Sequence, residues 1–131
     1  MVAPSSYTPF AGESFNDSSV TPTWRNSTWH VAFGQGFSNE ADTATINQAF
    51  VAATGAGDIL RSITPGSGAY QNEADVFEPD PAGTYWGQDN YQKLMAIKAA
   101  VDPNNILTCH GCIGWDKSDP RFACYPNIGS S

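Results

Sequence analysis

The sequence is poor in basic residues and has no long apolar run, and both shortages restrict what the protein can do. Lys and Arg together account for 6 of the 131 residues, against 13 Asp and Glu, so the formal net charge is -7. Nucleic acids and anionic membrane surfaces would repel such a chain. No apolar stretch approaches the roughly 20 residues that a membrane-spanning helix needs. We therefore expect neither a nucleic-acid partner nor a membrane span.

The sequence also opens without the features of an export signal. Residues 1–6 have neither a basic start nor an apolar core. Two other features point outward, because Asn16-Asp17-Ser18 and Asn26-Ser27-Thr28 are glycosylation sequons and charged residues make up only 15% of the chain. These features predict a secreted parent protein whose export signal lies upstream of this chain.

Hydrophobic spacing predicts a strand followed by a helix. Residues 29–33 alternate between large apolar and smaller or polar side chains, which is the period of a half-buried strand. Ser38 or Asn39 can cap a helix that Gly55 and Gly57 would end. The predicted apolar face of this helix consists of Ile46, Ala49, Phe50 and Ala53.

A second helix is predicted near the C-terminal end of the sequence. Asp89 is its expected cap, and Asp102 is its latest possible end because the residue before Pro103 avoids helical angles. Residues 106–107 suggest one further short strand. The predicted buried face of the helix consists of Tyr91, Leu94, Met95, Ile97 and Val101. Few strands and two helices enclose a poor core, so the pattern predicts an α+β fold that is part of a larger domain.

Residues 66–75 hold the most concentrated set of polar and aromatic side chains near glycine. If the segment is extended, Tyr70 and Asn72 face one side while Glu73 and Asp75 face the other. One side could then offer an amide to a polar cofactor edge and the other a carboxylate. The alternative is a polar turn whose Asn and Asp side chains satisfy their own backbone.

The three cysteines do not form a convincing metal site. Cys109 and Cys112 flank His110 and Gly111, but a structural zinc ion is bound by four ligands, and the sequence has no second pair of ligand residues at a suitable spacing. Disulfides fit an exported chain better. Because Cys109, Cys112 and Cys124 are an odd number, one thiol is left free or paired elsewhere. We expect no metal, and we expect His30 and His110 to take no part in chemistry.

Several short motifs follow one another along the C-terminal half of the sequence. They are residues 68–75, Tyr85-Trp86-Gly87, residues 90–94, Ile97-Lys98 and Asp102-Pro103-Asn104-Asn105. Together they resemble the C-terminal end of the berberine-bridge-enzyme family, within the vanillyl-alcohol-oxidase superfamily of flavoproteins. Upstream, residues 22–25 and the predicted strand at residues 29–33 are similar to a substrate-domain strand of fungal members.

This resemblance implies an FAD-dependent oxidoreductase that oxidises a small organic substrate by hydride transfer to flavin, with molecular oxygen as electron acceptor. It implies that residues 1–60 are the end of a substrate domain, with a partial sheet and a covering helix. Residues 61–131 would be the segment that returns to an N-terminal FAD-binding domain missing from this sequence. No glycine-rich phosphate-binding run is present, so we expect the chain alone to bind FAD weakly or not at all.

The resemblance also suggests roles for individual residues. Tyr70 and Asn72 match family positions beside the flavin. Glu73 stands where several plant members carry a tyrosine that acts as catalytic base, so it is the predicted catalytic residue. The alternative for Glu73 is a structural ion pair.

A second interpretation of the whole chain is a truncated, non-catalytic, secreted acidic domain. Such a domain would bind carbohydrate through Trp24, Trp29 and Trp86.

Overall fold

The computed structural model describes residues 18–25, 27–126 and 128. Its long elements are two α-helices, α1 (Thr43–Ile63) and α2 (Gln88–Val101). The sequon residues Asn16 and Asn26 lie outside the described residues. Shorter helical turns are found at Pro22–Arg25, Gln71–Glu73, Ala82–Trp86 and Pro120–Phe122.

The predicted α+β fold with a substrate-domain sheet is wrong, because the described residues contain helices and turns but no strand. Residues 29–33, where the alternation predicts a strand, run without regular secondary structure. A strand is defined by backbone pairing with a neighbour, however, and no neighbouring strand lies beside this segment in the described part of the chain. Val31 is 58% exposed and Phe33 46% exposed, so the alternating pattern does not produce a buried face.

Helix α1 begins later and ends later than the sequence predicts. The cap is Asp42 rather than Ser38 or Asn39, since the Asp42 carboxylate accepts a hydrogen bond from the Thr45 backbone N–H at 2.8 Å. Gly55 and Gly57 lie inside the helix and do not end it. A glycine costs a helix only about 1 kcal/mol relative to alanine, which the packing of the surrounding turns can offset.

The predicted apolar face of α1 does pack against the preceding and following chain. Ala49 is buried. The ring of Phe50 lies 5.7 Å from that of Phe77 and 6.4 Å from that of Phe37, measured between centroids. These contacts place residues 67–78 alongside α1.

Helix α2 ends where the sequence predicts and begins one residue before the predicted cap. Gly87, with φ at +77°, precedes it, and Asp89 lies in its first turn. The helix packs against the Ala82–Trp86 turn. Its predicted buried face is only partly covered, because Ile97 is 57% exposed and Val101 73% exposed.

The chain after α2 is held by the carboxylate of Asp102. This carboxylate contacts the Lys98 ammonium and accepts hydrogen bonds from the backbone N–H groups of Ile106 and Leu107, both at 2.9 Å. These bonds replace the short strand predicted at residues 106–107. The pKa of Asp102 lies below its ordinary value, mainly because of the hydrogen bond from the Lys98 ammonium and, to a smaller extent, because of the two backbone N–H groups.

The core of the described residues is small. Its buried apolar side chains are Ala49 and Tyr85, and its buried polar residues are Thr21 and Asp102. Many large apolar side chains are exposed instead, including Trp29 at 69% and Leu107 at 77%. No helix among the described residues is long and apolar enough to cross a membrane.

Candidate functional site

The segment that holds the predicted site residues is a tight turn, not an extended strand. Ala69 donates a backbone hydrogen bond to Thr84 at 3.0 Å, which anchors the segment to the Ala82–Trp86 turn. Gly68 permits this approach, because a Cβ there would lie 2.8 Å from the Thr84 carbonyl oxygen. Gln71–Glu73 then form one 3-10 turn, in which the Glu73 N–H donates to the Tyr70 carbonyl at 3.0 Å.

The turn changes which side chains can act together. Tyr70 precedes the turn with an extended backbone, whereas Gln71–Glu73 form the turn itself. The alternation of side chains along an extended segment therefore does not continue through Glu73. The sequence analysis placed an amide on one side and a carboxylate on the other only if the segment is extended. The turn at Gln71–Glu73 does not meet that condition.

Glu73 is in contact with His30. The distance from Glu73 Oε2 to His30 Nε2 is 2.8 Å, with the Glu73 side chain 48% exposed and the His30 side chain 23% exposed. The His30 ring in turn packs edge-on against Trp24, with 5.0 Å between centroids. A half-exposed carboxylate with one oriented oxygen can accept a proton from a bound molecule and share it with an imidazole.

Sequence reasoning did not connect His30 with Glu73. No motif around His30 indicated a function, and its partner lies far along the chain. The fungal substrate-domain resemblance at residues 29–33 was the one available signal, and it concerned a strand that the structure does not contain.

Tyr70 and Asn72 lie beside this pair on the same turn. The Asn72 amide nitrogen lies 3.2 Å from the Tyr70 hydroxyl oxygen, to which it donates. Both residues are exposed, Tyr70 by 48%. Their ring and amide are therefore open to a planar, polar molecule.

Two of the three tryptophans of the carbohydrate-binding alternative line the same cleft. Trp24 and Trp29 line a narrow cleft of about 40 Å³ together with His30 and Tyr70. Trp86 is not among the lining residues of that cleft and packs against Tyr85 and Tyr91, at centroid distances of 5.3 and 5.9 Å.

Cys109 and Cys112 form a disulfide, and Cys124 is an exposed free thiol. The Gln71 amide nitrogen lies 3.2 Å from Cys112 Sγ, so the disulfide borders the candidate turn. No group of three or more potential metal ligands occurs among the residues that the structure describes. The His110 ring packs between Trp115 and Tyr125, at centroid distances of 4.6 and 4.3 Å.

The described residues fit the ring end of a flavin better than its pyrophosphate. Tyr70 and Asn72 offer an exposed ring and amide that can contact a flat polar ring. A pyrophosphate is held by free N–H groups at a helix N-terminus. The N-terminus of α1 is already capped by the Asp42 carboxylate, and Asp89 places a carboxylate in the first turn of α2.

Comparison with known proteins finds similarity over the candidate turn and α2. Residues 69–113, which include the candidate turn and α2, match the family model "Berberine and berberine like". This segment is therefore similar to the berberine-like family. The berberine-like segment lies within the C-terminal region, residues 61–131, that the sequence predicts. No solved structure matches the chain.

Similar proteins in fungi extend the likeness beyond the berberine-like segment. The chain is 34% identical to FAD-linked oxidoreductase cheF of Chaetomium globosum over 83% of its length. It is 33% identical to FAD-linked oxidoreductase ffsJ of Aspergillus flavipes over 81%, and 29% identical to FAD-linked oxidoreductase OXR2 of Pyricularia oryzae over 80%. It spans 18%, 17% and 19% of those three proteins, respectively.

Proposed function

We propose that this chain is the C-terminal portion of a secreted FAD-dependent oxidoreductase that takes a hydride from a small organic substrate, with molecular oxygen as electron acceptor. The observation that carries the proposal is the contact between Glu73 and His30 beside the berberine-like turn. The similarity to fungal proteins named FAD-linked oxidoreductases supports FAD as the cofactor.

Each site residue has a role in this proposal. Tyr70 and Asn72 contact the edge of the flavin ring and orient it. Glu73 Oε2 accepts a proton from the substrate, and His30 holds this carboxylate in place through its Nε2 contact. When bound, FAD supplies the hydride acceptor. The role of the protein is to place the proton acceptor next to the bond that breaks.

The proposal includes an N-terminal FAD-binding domain that packs on this chain. The small core and the exposed apolar side chains support it, because large exposed apolar patches mark surfaces that contact other protein. The share of the relatives that the chain spans is consistent with such a domain. Within the chain, we place the end of the substrate domain at residues 1–60 and the returning segment at residues 61–131.

A visible spectrum tests whether FAD is held by the N-terminal FAD-binding domain rather than by this chain. The isolated chain, mixed with FAD and passed over a sizing column, should retain no flavin band. The same chain expressed downstream of its FAD-binding domain should retain a stable one. A stable flavin band on the isolated chain would contradict the proposed division, and loss of flavin from both preparations would contradict the cofactor.

A further inference from the structure

The Cys109–Cys112 disulfide contacts the turn that carries Glu73. The Gln71 amide nitrogen lies 3.2 Å from Cys112 Sγ and 3.8 Å from Cys109 Sγ, so one side chain touches both sulfur atoms. Gln71 is half-buried, whereas Asn72 and Glu73, the other residues of the turn, are exposed. Within the turn, Gln71 is therefore the side chain that packs against the chain after α2.

A second contact links the disulfide loop to the far end of the same segment. Gly111 is buried beside the Tyr85 ring, and a Cβ built there would lie 3.4 Å from Tyr85 Cε2. The Tyr85 hydroxyl donates to the Asp75 carbonyl at 3.3 Å. Residues 109–112 therefore support residues 71–75 at both ends, directly at Gln71 and through Tyr85 at Asp75.

The turn has few hydrogen bonds of its own. The Glu73 N–H donates to the Tyr70 carbonyl at 3.0 Å, and the Ala74 N–H donates to the Gln71 carbonyl at 3.4 Å. No side chain of the described residues caps the N-terminus of the turn. Short 3-10 turns also have poorer hydrogen-bond geometry than an α-helix. The position of Glu73 therefore depends on contacts that hold the turn from outside, and the contact at Gln71 is one of them.

A reductant in solution can reach this disulfide. Cys109 is exposed and Cys112 is half-buried. The two cysteines are separated by three positions in the sequence, and a disulfide that closes a short loop constrains the unfolded chain less than one that closes a long loop. Breaking the bond should therefore leave the helices folded and change the structure mainly near the turn.

We propose that the Cys109–Cys112 disulfide is a redox-sensitive support for the turn, and that its reduction releases Gln71 and loosens the contact between Glu73 and His30. In this step a dithiol transfers two electrons and two protons to the sulfur–sulfur bond, which gives two cysteine thiols, and the dithiol itself becomes a disulfide. The two sulfurs are then no longer held at bonding distance, so the amide loses the paired acceptor on which it rests.

The consequence for activity rests on the proposed function, in which Glu73 accepts a proton from the substrate. The link between the disulfide and the turn does not depend on that role. Cysteine sulfur is a weak hydrogen-bond acceptor, so the contact with Gln71 acts by placing the turn and contributes little to the stability of the chain as a whole.

NMR on the 131-residue chain without FAD tests this link, with dithiothreitol as the reductant and Cys124→Ser as the background. That background removes the exposed free thiol, so the two remaining cysteines of a chain can pair only with each other. The chain has two histidines, which report different events. His110 lies between the cysteines and reports the reduction itself, whereas His30 reports the turn. Reduction should move the His30 ring-nitrogen resonances toward their positions in Glu73→Gln.

Gln71→Leu tests the same link without reduction, because the side chain keeps its bulk and has no amide to place against the sulfurs. The His30 resonances should already be displaced in this variant, and dithiothreitol should displace them no further. Gln48→Leu is the matched control, since Gln48 is exposed on α1, and it should behave like the parent. Far-UV circular dichroism follows the helices in every sample.

Three outcomes would overturn the inference. One is a set of His30 resonances that stays in place on reduction while those of His110 move. Another is loss of the helical signal on reduction, because the disulfide would then hold the whole fold and not the turn. The third is a His30 spectrum of Gln71→Leu that is identical to that of Gln48→Leu.

The FAD-containing protein separates this inference from the proposed function. Gln71→Leu should slow anaerobic flavin reduction at least about tenfold, since a displacement of about 1 Å can cost about 100-fold, and Gln48→Leu should leave the rate unchanged. If reduction of the disulfide moves His30 but Gln71→Leu reduces flavin at the parent rate, the proposed role of Glu73 fails while the redox-sensitive support stands. If flavin reduction requires Glu73 but His30 does not move, the inference fails while the proposed function stands.

Discussion

His30 Nε2 lies 2.8 Å from Glu73 Oε2, and this contact joins two segments that are distant in the sequence. It fixes the orientation of a carboxylate that would otherwise rotate freely, because the Glu73 side chain is 48% exposed. The His30 imidazole therefore orients the Glu73 carboxylate, in a contact of the kind that the ion-pair alternative for Glu73 also predicts. Trp24, packed edge-on against His30, restricts the imidazole in turn.

NMR tests this contact directly, because the chain has only two histidines. Replacing Glu73 with Gln should move the ring-nitrogen resonances of His30, since the group facing Nε2 changes from an acceptor carboxylate to an amide. The resonances of His110 should stay in place, because its neighbours are aromatic rings. Glu40→Gln is the matched control, as it removes the same charge from an exposed residue. An unchanged His30 spectrum in Glu73→Gln would rule the contact out.

Tyr85 should be the most sensitive single position for stability. It is 8% exposed, and its hydroxyl donates to the Asp75 carbonyl at 3.3 Å. Tyr85→Ala should lower the free energy of unfolding by about 3 kcal/mol or more, and Tyr85→Phe by about 1 kcal/mol. Urea unfolding measures both, and Tyr125→Phe, at a more exposed site, should stay within about 0.5 kcal/mol of the parent. A Tyr85→Ala protein as stable as the parent would show that this core does not hold the fold.

Tyr85 should also titrate late in the folded protein. Burial, followed by the nearby Glu78 and Asp75 carboxylates, raises the pKa of its phenol well above the ordinary range. An alkaline absorbance titration of the parent should therefore leave one phenol protonated after the exposed tyrosines have ionised, until the chain unfolds. Tyr85→Phe should remove that last step and no other.

The hydrogen bonds that the Asp102 carboxylate accepts should make part of the stability of the chain depend on pH. The pKa of Asp102 is lower in the folded chain than in the unfolded chain, so the unfolded state takes up a proton first as the pH falls. The stabilisation is complete above the unfolded pKa of about 3.9 and is lost as the pH falls through the folded pKa. Asp102→Asn should lower stability at neutral pH and flatten its decline below about pH 4.

A double-mutant cycle with Lys98 isolates this interaction. Lys98→Met together with Asp102→Asn should cost less than the two single changes added together, because each single change already breaks the same contact. Strictly additive losses in urea unfolding would show that the two residues act independently.

His110 should contribute a separate pH dependence near neutrality. Burial among aromatic rings lowers its pKa in the folded chain. As the pH falls below the unfolded value of about 6.5, the unfolded state binds the proton more readily, so stability should decline. His110→Phe keeps a ring in the stack and should remove this decline when thermal midpoints are compared between pH 7.5 and 5.5. A decline of the same size in the variant would assign it to other groups.

The features that the sequence predicted correctly depend on local chemistry. The end of α2 follows from the steric effect of Pro103 on Asp102, which involves neighbouring residues alone. The apolar face of α1 follows from helical spacing, and Phe50 and Ala49 do pack. The match of residues 69–113 to the berberine-like family likewise rests on short motifs that can be identified without a fold.

The features that the sequence failed to predict depend on the contacts that each segment makes in the folded chain. The segment at residues 29–33 has the period of a strand, but backbone pairing requires a partner that the described residues do not supply. Ser38, Asn39 and Asp42 can all cap a helix, and only the structure shows which one reaches an N–H group. The contact of His30 with Glu73 is a tertiary contact, so no local pattern indicates it.

The most direct test of the central claim is the rate of flavin reduction in the FAD-containing protein that carries this chain. Anaerobic stopped-flow mixing with a substrate, followed by flavin absorbance, measures this rate in the parent, in Glu73→Gln and in the control Glu40→Gln. Loss of a general base slows proton removal by about 100-fold to 10,000-fold, so Glu73→Gln should reduce flavin at least about 100-fold more slowly, with Glu40→Gln unchanged. Flavin reduction at the parent rate in Glu73→Gln would contradict the account.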